Sequence, residues 1–384
     1  MTKVTMTTRV QKMEYYTLGN SGLKVSRFCL GTMTFGDNWG WGSEKKIARS
    51  VFDTFIDAGG NFFDTADIYT NGQSEQLLGA FIKDANIRDQ AVIATKFSIN
   101  QHPGNPNSGG NGRKNIMRAV DASLKNLGTE YLDLYFLHLW DRITPPDEVI
   151  GTLDDLVRMG KILHYGLSDI PAWYASRMQT LAETKGLKPI NALQLQYSLI
   201  ERNIEGEYQD LAIRYGMGLV AWSPLASGLL SGKYKRGIDN DDPTAVGRLT
   251  NKAAKGNPGF DLFNERNWGI VDELEKVAKD VGRSMAQVAI NWVANRPGVG
   301  SVIVGATKPQ QLEDNLCALD FSLSNQQLSK LNAASKPNLG FPYDLMSKEN
   351  QAMITGGATV GSKPNSYAPQ EFIDATAHSL GRND

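Results

Sequence analysis

Apolar residues along the chain come in two textures. Eight short runs are apolar at most positions: FCLGTM from Phe28, NFFDTAD from Asn61, AVIATKF from Ala91, LDLYFLHL from Leu132, ILHYGLS from Ile162, ALQLQYS from Ala192, GLVAWSPL from Gly218 and SVIVGA from Ser301. None alternates strictly between apolar and polar, which is the pattern of strands covered on both faces, as in a parallel sheet. The stretches between them carry a helical period. After Ser43, the residues Ile47, Val51 and Phe55 recur every four positions, Phe52 and Ile56 widen the stripe, and Gly59–Gly60 stops it. Further helices are predicted from Ser74, Arg113, Pro146, Pro171, Glu205, Ser284 and Pro309, several opening on a Ser or Pro suited to a first turn.

Strand starts follow one another at 26 to 41 residues, and only the last gap widens, to 83. Eight strands alternating with helices predict an α/β protein, a (β/α)8 TIM barrel. The rival is a doubly wound open sheet, which normally carries a Gly-rich dinucleotide turn after its first strand. Here that strand ends in GTMTFG, without the G-x-G-x-x-G spacing. Ahead of the barrel, YYTLGNSGLKVS reads as an N-terminal β-hairpin turning at Asn20–Ser21–Gly22, placed to plug the barrel bottom. Three stretches exceed ordinary loop length: Ser98–Gly112, Ser231–Asn267 and the tail after Ser335. Each follows a strand end or the last helix, so these long loops are expected to border the catalytic, C-terminal face. The predicted organisation is an N-terminal extension over 1–13, the barrel over 14–335, and an extended C-terminal tail over 336–384, Gly/Pro/Ser-rich and either partly packed or disordered.

Composition then narrows the partners. At 384 residues the usual domain size would suggest two or three units, and the strand count replaces them by one barrel. The 40 Lys+Arg and 41 Asp+Glu leave a formal net charge of −1, which removes the simple electrostatic case for a nucleic-acid or membrane-surface partner. No apolar run approaches membrane-spanning length. The start, MTKVTMTTRVQKM, lacks the apolar centre of a secretory signal, so a reducing cytoplasm is expected, with a transit peptide as the minor alternative. Two cysteines, Cys29 and Cys317, are too few for a disulfide scaffold and are expected to be small buried hydrophobes. Four histidines, none three or four residues from another, offer no metal site. Oligomeric state is not encoded in any of these features.

In a barrel, polar residues at strand C-termini are read first for chemistry. The second strand ends in Asp64, with Tyr69 five residues on; the third ends in Lys96 and the fourth in His138. Taken singly, Asp64 suits a loop cap, Tyr69 packing, Lys96 a structural ion pair and His138 a satisfied core imidazole. Together they suit acid–base work. A Lys96–Asp64 pair would place a positive charge where it lowers the tyrosine pKa from about 10, and a neutral His138 could hydrogen-bond the same oxygen. Such a site lacks a reductant, so a nicotinamide would have to be bound beside it. A Schiff-base aldolase using Lys96 is an alternative that Asp64 and Tyr69 suit less well. Independently, Gly305, Ala306, Thr307 and Lys308 lead into Pro309 at a helix start, a phosphate-binding arrangement.

The stretch FFDTADIYTNGQSEQLLG, the lysine of ATKF, LDLYFLHLWD and GLSD resemble the aldo-keto reductases from about Tyr15 to Leu331. The resemblance implies NADPH-dependent reduction of aldehyde or ketone carbonyls to alcohols, reversibly, with Tyr69 as proton donor, Asp64 and Lys96 tuning it and His138 orienting the carbonyl. It also implies cofactor contacts, with NADPH favoured and NADH second. Gly31, Thr32 and Met33 follow the first strand, and Asp64 lies near the ribose. Ser168 and Asp169 stand where the family commonly has Ser-Asn on the carboxamide. Gln194 is its other ligand, and Trp222 is the aromatic stacked on the ring. Ser223, Leu225, Ser227, Gly228 and Lys233 match the pyrophosphate loop. Gly305, Thr307 and Lys308 match the 2′-phosphate pocket, and Gln311, Asp314 and Asn315 face the adenine. Gln311 stands where many members have an arginine, so Lys308 would supply that charge. Trp39, Trp41, Phe97 and Trp140 are the candidate wall for a small-molecule carbonyl substrate. Related barrels also serve as redox-sensing subunits of membrane channels, so a nucleotide-binding regulatory subunit with slow or no turnover is the alternative reading.

Overall fold

The computed structural model describes residues 13–237, 247–250 and 258–358. The expected N-terminal extension apart from Met13, the tail beyond Ala358 and two parts of the long loop over 231–267 lie outside the described residues. A hairpin opens the described chain: β1 (Tyr15–Thr17) pairs antiparallel with β2 (Lys24–Ser26). Eight parallel strands follow: β3 (Phe28–Gly31), β4 (Phe62–Asp64), β5 (Val92–Phe97), β6 (Leu132–Leu137), β7 (Ile162–Ser168), β8 (Ala192–Gln196), β9 (Gly218–Trp222) and β10 (Val299–Val304). They pair in sequence order, and β10 returns to β3 to close the barrel. This is the predicted (β/α)8 TIM barrel.

The apolar runs lack alternation because both faces of every strand are buried. Inward-pointing Cys29, Phe62, Val92, Ala94, Leu134, Phe136, Ala192 and Val220 form one cluster inside the barrel. Their neighbours Phe63, Ile93, Tyr135, Leu137, Leu167 and Leu193 point outward to the helices in a second, larger cluster. Successive side chains on a strand take opposite faces, so a one-residue step separates the two layers. Leu18 and Val25 of the hairpin, both fully buried, join the inner cluster from below and seal that end. Gly218 makes room for this plug: a Cβ there would lie 2.6 Å from Leu18 Cδ1.

Eight predicted helices are present, at Lys45–Asp57, Gln73–Ala85, Arg113–Leu127, Pro146–Arg158, Ala172–Lys185, Tyr208–Tyr215, Met285–Ala294 and Pro309–Leu316. Pro146 and Pro309 occupy the first turn of theirs, where a missing N–H costs nothing. Two helices were not predicted, Glu265–Val281 and Asn325–Ala334. Their signals were present in the sequence. Trp268, Val271, Leu274, Val277 and Ala278 make the buried stripe of the first, Asn264 caps it and Gly282 ends it. Ser324 and Gln327 form a capping box on the second. Arg202 anchors the end of that second helix, donating to Ser335 Oγ at 2.7 Å and Asn332 O at 3.2 Å. The tail adds a short helix, Lys348–Ile354. Cys29 lies in the inner core as expected, but Cys317 does not: it follows a helix that packs on one side only, is half-exposed, and turns its thiol to Glu313 O. Among the described residues no helix is long and apolar enough to cross a membrane.

Candidate active site

The strands deliver their polar C-terminal residues to one mouth. Asp64 ends β4, Lys96 is the inward residue near the end of β5, and both are buried. Lys96 Nζ donates to Asp64 Oδ2 at 2.7 Å, to Thr65 O at 2.8 Å and to the Tyr69 hydroxyl at 3.2 Å. Its three protons are thus matched to three acceptors, which is what permits a fully buried ammonium. The other Asp64 oxygen accepts from Gln194 Nε2 at 2.7 Å. Tyr69 starts a short turn whose next residues, Thr70 and Asn71, are left-handed at φ 46 and 56. Thr70 Oγ1 holds that turn down by donating to Phe35 O at 2.8 Å. His138 follows β6 and meets Tyr69 edge-on at 5.9 Å between ring centroids. Its Nδ1 is buried without a hydrogen-bond partner.

Electrostatics correct one expectation. Burial pushes the Tyr69 phenol up rather than down; Lys96 opposes the shift, but Asp64 beside it cancels much of that charge. The ammonium cannot act as a free cation while it is paired. Lys96 itself is held above its ordinary value: burial works against this, and Asp64 and Tyr69 outweigh it. His138 falls to about 3 through burial and the Lys96 charge, so its imidazole is neutral at any ordinary pH.

Around these four the structure places the remaining predicted residues. Ser168 is buried at the end of β7, and Asp169 follows it in the left-handed region at φ 43. The Trp222 indole N–H donates to Asp169 Oδ1 at 3.1 Å. Burial raises the Asp169 carboxyl to about 6, against the Trp222 bond and the Lys96 charge. At the end of β3 a Cβ on Gly31 would lie 2.7 Å from Ile303 Cγ2; just beyond it Thr32 Oγ1 is engaged with Asp64 O at 3.0 Å and Ser74 Oγ at 2.8 Å, and Met33 is half-buried. In the loop after β9, Ser223 Oγ accepts from Ser227 N at 3.3 Å, Leu225 packs on the core, and Lys233 reaches back towards Gly228 and over the Tyr234 ring.

At the end of β10, Gly305, Thr307 and Lys308 are exposed ahead of the helix Pro309–Leu316, which has no side-chain cap. Pro309 has no N–H, and the Gln311 and Leu312 N–H groups donate to Lys308 O at 3.1 and 3.4 Å, which leaves the Gln310 N–H for an anion. Gln311 Oε1 accepts from Thr307 N at 3.0 Å and Oγ1 at 3.1 Å. Two residues expected to face the adenine have other company. Asp314 accepts from Ser284 Oγ at 3.0 Å and Gln287 Nε2 at 2.9 Å, and Asn315 is buried.

The aromatic wall divides. Trp39 packs on Trp41 at 5.4 Å and edge-on to Tyr69 at 6.3 Å, so both indoles border the mouth. Trp140 packs against Trp173 and Tyr174 and lines a cavity of about 440 Å³ with Asp169, Ile170, Leu195, Ile204 and Tyr208. Phe97 is not part of the wall. It is fully buried against Tyr135 on the helix side of the sheet, because its neighbour Lys96 takes the inward face. Sequence reasoning missed Arg248, whose guanidinium lies over the Trp41 ring at 5.5 Å and whose charge reaches Tyr69. A lone arginine in a long loop carries no local signature.

A closed parallel barrel whose mouth holds a buried Lys–Asp pair, a tyrosine and a neutral imidazole belongs with the TIM-barrel oxidoreductases. The description Aldo/keto reductase family matches residues 27–336, and the chain belongs to that family. It is 34% identical over 337 residues to the aryl-alcohol dehydrogenase [NADP(+)] of Phanerodontia chrysosporium, across 84% of this chain and 86% of that one. It is 34% identical over 349 residues to norsolorinic acid reductase B of Dothistroma septosporum, across 88% and 85%. A probable voltage-gated potassium channel subunit beta of Oryza sativa subsp. japonica is 35% identical over 333 residues, across 85% and 98%.

Proposed function

We propose that the protein is an NADPH-dependent reductase that interconverts aldehydes or ketones and their alcohols, with aromatic carbonyls as its preferred substrates. The observation that carries this reading is the 3.2 Å bond from Lys96 Nζ to the Tyr69 hydroxyl within the Asp64 ion pair. The residues present fit the cofactor. The uncapped helix start beside Lys308 suits a phosphate, the glycine at 228 leaves space for the Lys233 ammonium, and buried Ser168 and Gln194 with half-buried Trp222 surround the mouth with polar and flat surfaces. When bound, the nicotinamide supplies the hydride that the carbonyl carbon accepts.

The chain supplies the proton. As the C=O π pair moves onto oxygen, Tyr69 delivers its phenolic proton there and becomes a phenolate beside the Lys96 ammonium. The raised phenol stays protonated at neutral pH and is therefore loaded as the acid. His138, neutral throughout, orients the same oxygen by hydrogen bond and brings no competing charge. In alcohol oxidation the phenolate would take the proton back. The half-exposed indoles of Trp39 and Trp41 and the Trp140 cavity support the aromatic preference, as does the aryl-alcohol dehydrogenase relative. The potassium-channel beta relative supports a second reading, a nucleotide-bound redox sensor.

A panel of aryl and alkyl aldehydes and ketones, followed by NADPH and NADH absorbance, separates the two. Turnover on aryl carbonyls with NADPH, reduced by about 10²- to 10⁴-fold in Tyr69→Phe with nucleotide affinity kept, is the expected result. Full activity in that variant overturns the proton-donor role. Tight NADPH binding with negligible turnover across the panel favours the sensor.

A further inference from the structure

Asp169 has no part in the proton transfer above, yet it stands at the same mouth. Its carboxylate accepts the Trp222 indole N–H at 3.1 Å. The ionisable and polar groups that face it are the Ser168 hydroxyl, the Lys96 ammonium, the Tyr69 phenol and the Tyr208 phenol. Lys96 is committed to Asp64 at 2.7 Å, so that pair presents little net charge to its surroundings. Among the described residues Asp169 has no such salt bridge, and it adds a negative charge in a poorly solvated opening, where charges act strongly. Asparagine would fill the same space and still accept the indole bond, so the charge itself is the distinctive property here.

Any hydride donor must reach a carbonyl carbon whose oxygen is held by Tyr69, and so works inside the field of Asp169. A nicotinamide is neutral when reduced and carries one positive charge when oxidised. We propose that Asp169 selects the redox state of the cofactor, its carboxylate favouring NADP+ over NADPH and biasing the bound reactants towards NADP+ and alcohol. This rests on the NADP(H) reading above and adds a direction to it. Binding free energies are state functions, so the selectivity between the two forms must appear in equal measure in the equilibrium of the bound reactants.

The test titrates NADP+ and NADPH separately into the full chain, read by calorimetry or quenching of tryptophan fluorescence, for the wild type and Asp169→Asn. The expected result is a loss of about tenfold in NADP+ affinity relative to NADPH, equivalent to about 1.4 kcal/mol. A matching shift of the enzyme-bound equilibrium towards carbonyl and NADPH should accompany it. A wild-type titration at pH 5 and pH 8 repeats the test without substitution, because the carboxyl titrates near 6. The nucleotide's own phosphates are common to both forms and cancel in the ratio. An unchanged ratio in both experiments overturns the proposal. So does an equal weakening of both nucleotides in Asp169→Asn that Trp222→Phe reproduces, since Asp169 would then serve only to fix the indole. A wild type that binds neither nucleotide is a different outcome and removes the cofactor reading itself.

Discussion

The two ends of the barrel are built from opposite chemistry on the same strands. At the bottom, Leu18, Val25, Cys29 and Phe62 are fully buried and wholly apolar. At the mouth, Asp64, Lys96, Ser168 and Gln194 are nearly as deeply buried but polar. Both ends follow the same inward register: Val92, Ala94 and Lys96 point into the barrel in turn along β5. The difference lies in what burial costs. The bottom needs only shape, whereas every charge at the mouth needs a partner. Stability is therefore concentrated below, and chemistry above is limited by how completely its charges are paired.

The sharpest way to break the comparison is to remove the cation at the mouth. Lys96→Met leaves Asp64 buried with only Gln194 as donor, and should lower turnover by about 10²-fold or more while destabilising the fold by about 3–5 kcal/mol in urea denaturation. A loss of activity without loss of stability would mean that the pair is not the cost assigned to it. Leu18→Ala opens a cavity at the plug and should cost about 3–5 kcal/mol in the same assay, with kcat on an aryl aldehyde unchanged within about twofold. A large fall in kcat would show that the two ends are coupled.

A smaller effect concerns Asp67, buried behind the catalytic turn. Burial and the neighbouring Glu75 raise its carboxyl to about 7. A raised carboxyl is penalised when ionised, so its destabilising effect is absent below the unfolded pKa of about 4, grows as pH rises and is complete above about 7. Asp67→Asn should then gain stability over the wild type by about 2–3 kcal/mol more at pH 8 than at pH 5. A gain that is equal at both pH values would contradict this sign.

All eight barrel strands were readable because doubly covered strands are continuous apolar runs, and the helix between Lys45 and Asp57 because its stripe has a 3.6-residue period. The helix Glu265–Val281 was equally readable from its stripe and caps, and was hidden only by its position after a long polar loop. Phe97 illustrates a different shortfall. Strand parity with Lys96 already assigned it to the outer face, and its aromatic character beside a candidate catalytic residue suggested otherwise. The phenol shift of Tyr69 was not readable at all, since its sign depends on how far Asp64 neutralises Lys96 at the actual distances.

What the sequence determined by itself was the barrel, its plug and the three strand-end residues and loop tyrosine that meet at the mouth, because periodicity and residue type are local quantities. What only the tertiary structure decided was which charges are spent on each other. Residues 64, 96 and 194 come from three different strands, Arg248 from a distant loop, and Asp169 meets Trp222 across 53 positions of chain. Electrostatic energy depends on separation and burial in space, neither of which is written in the order of residues.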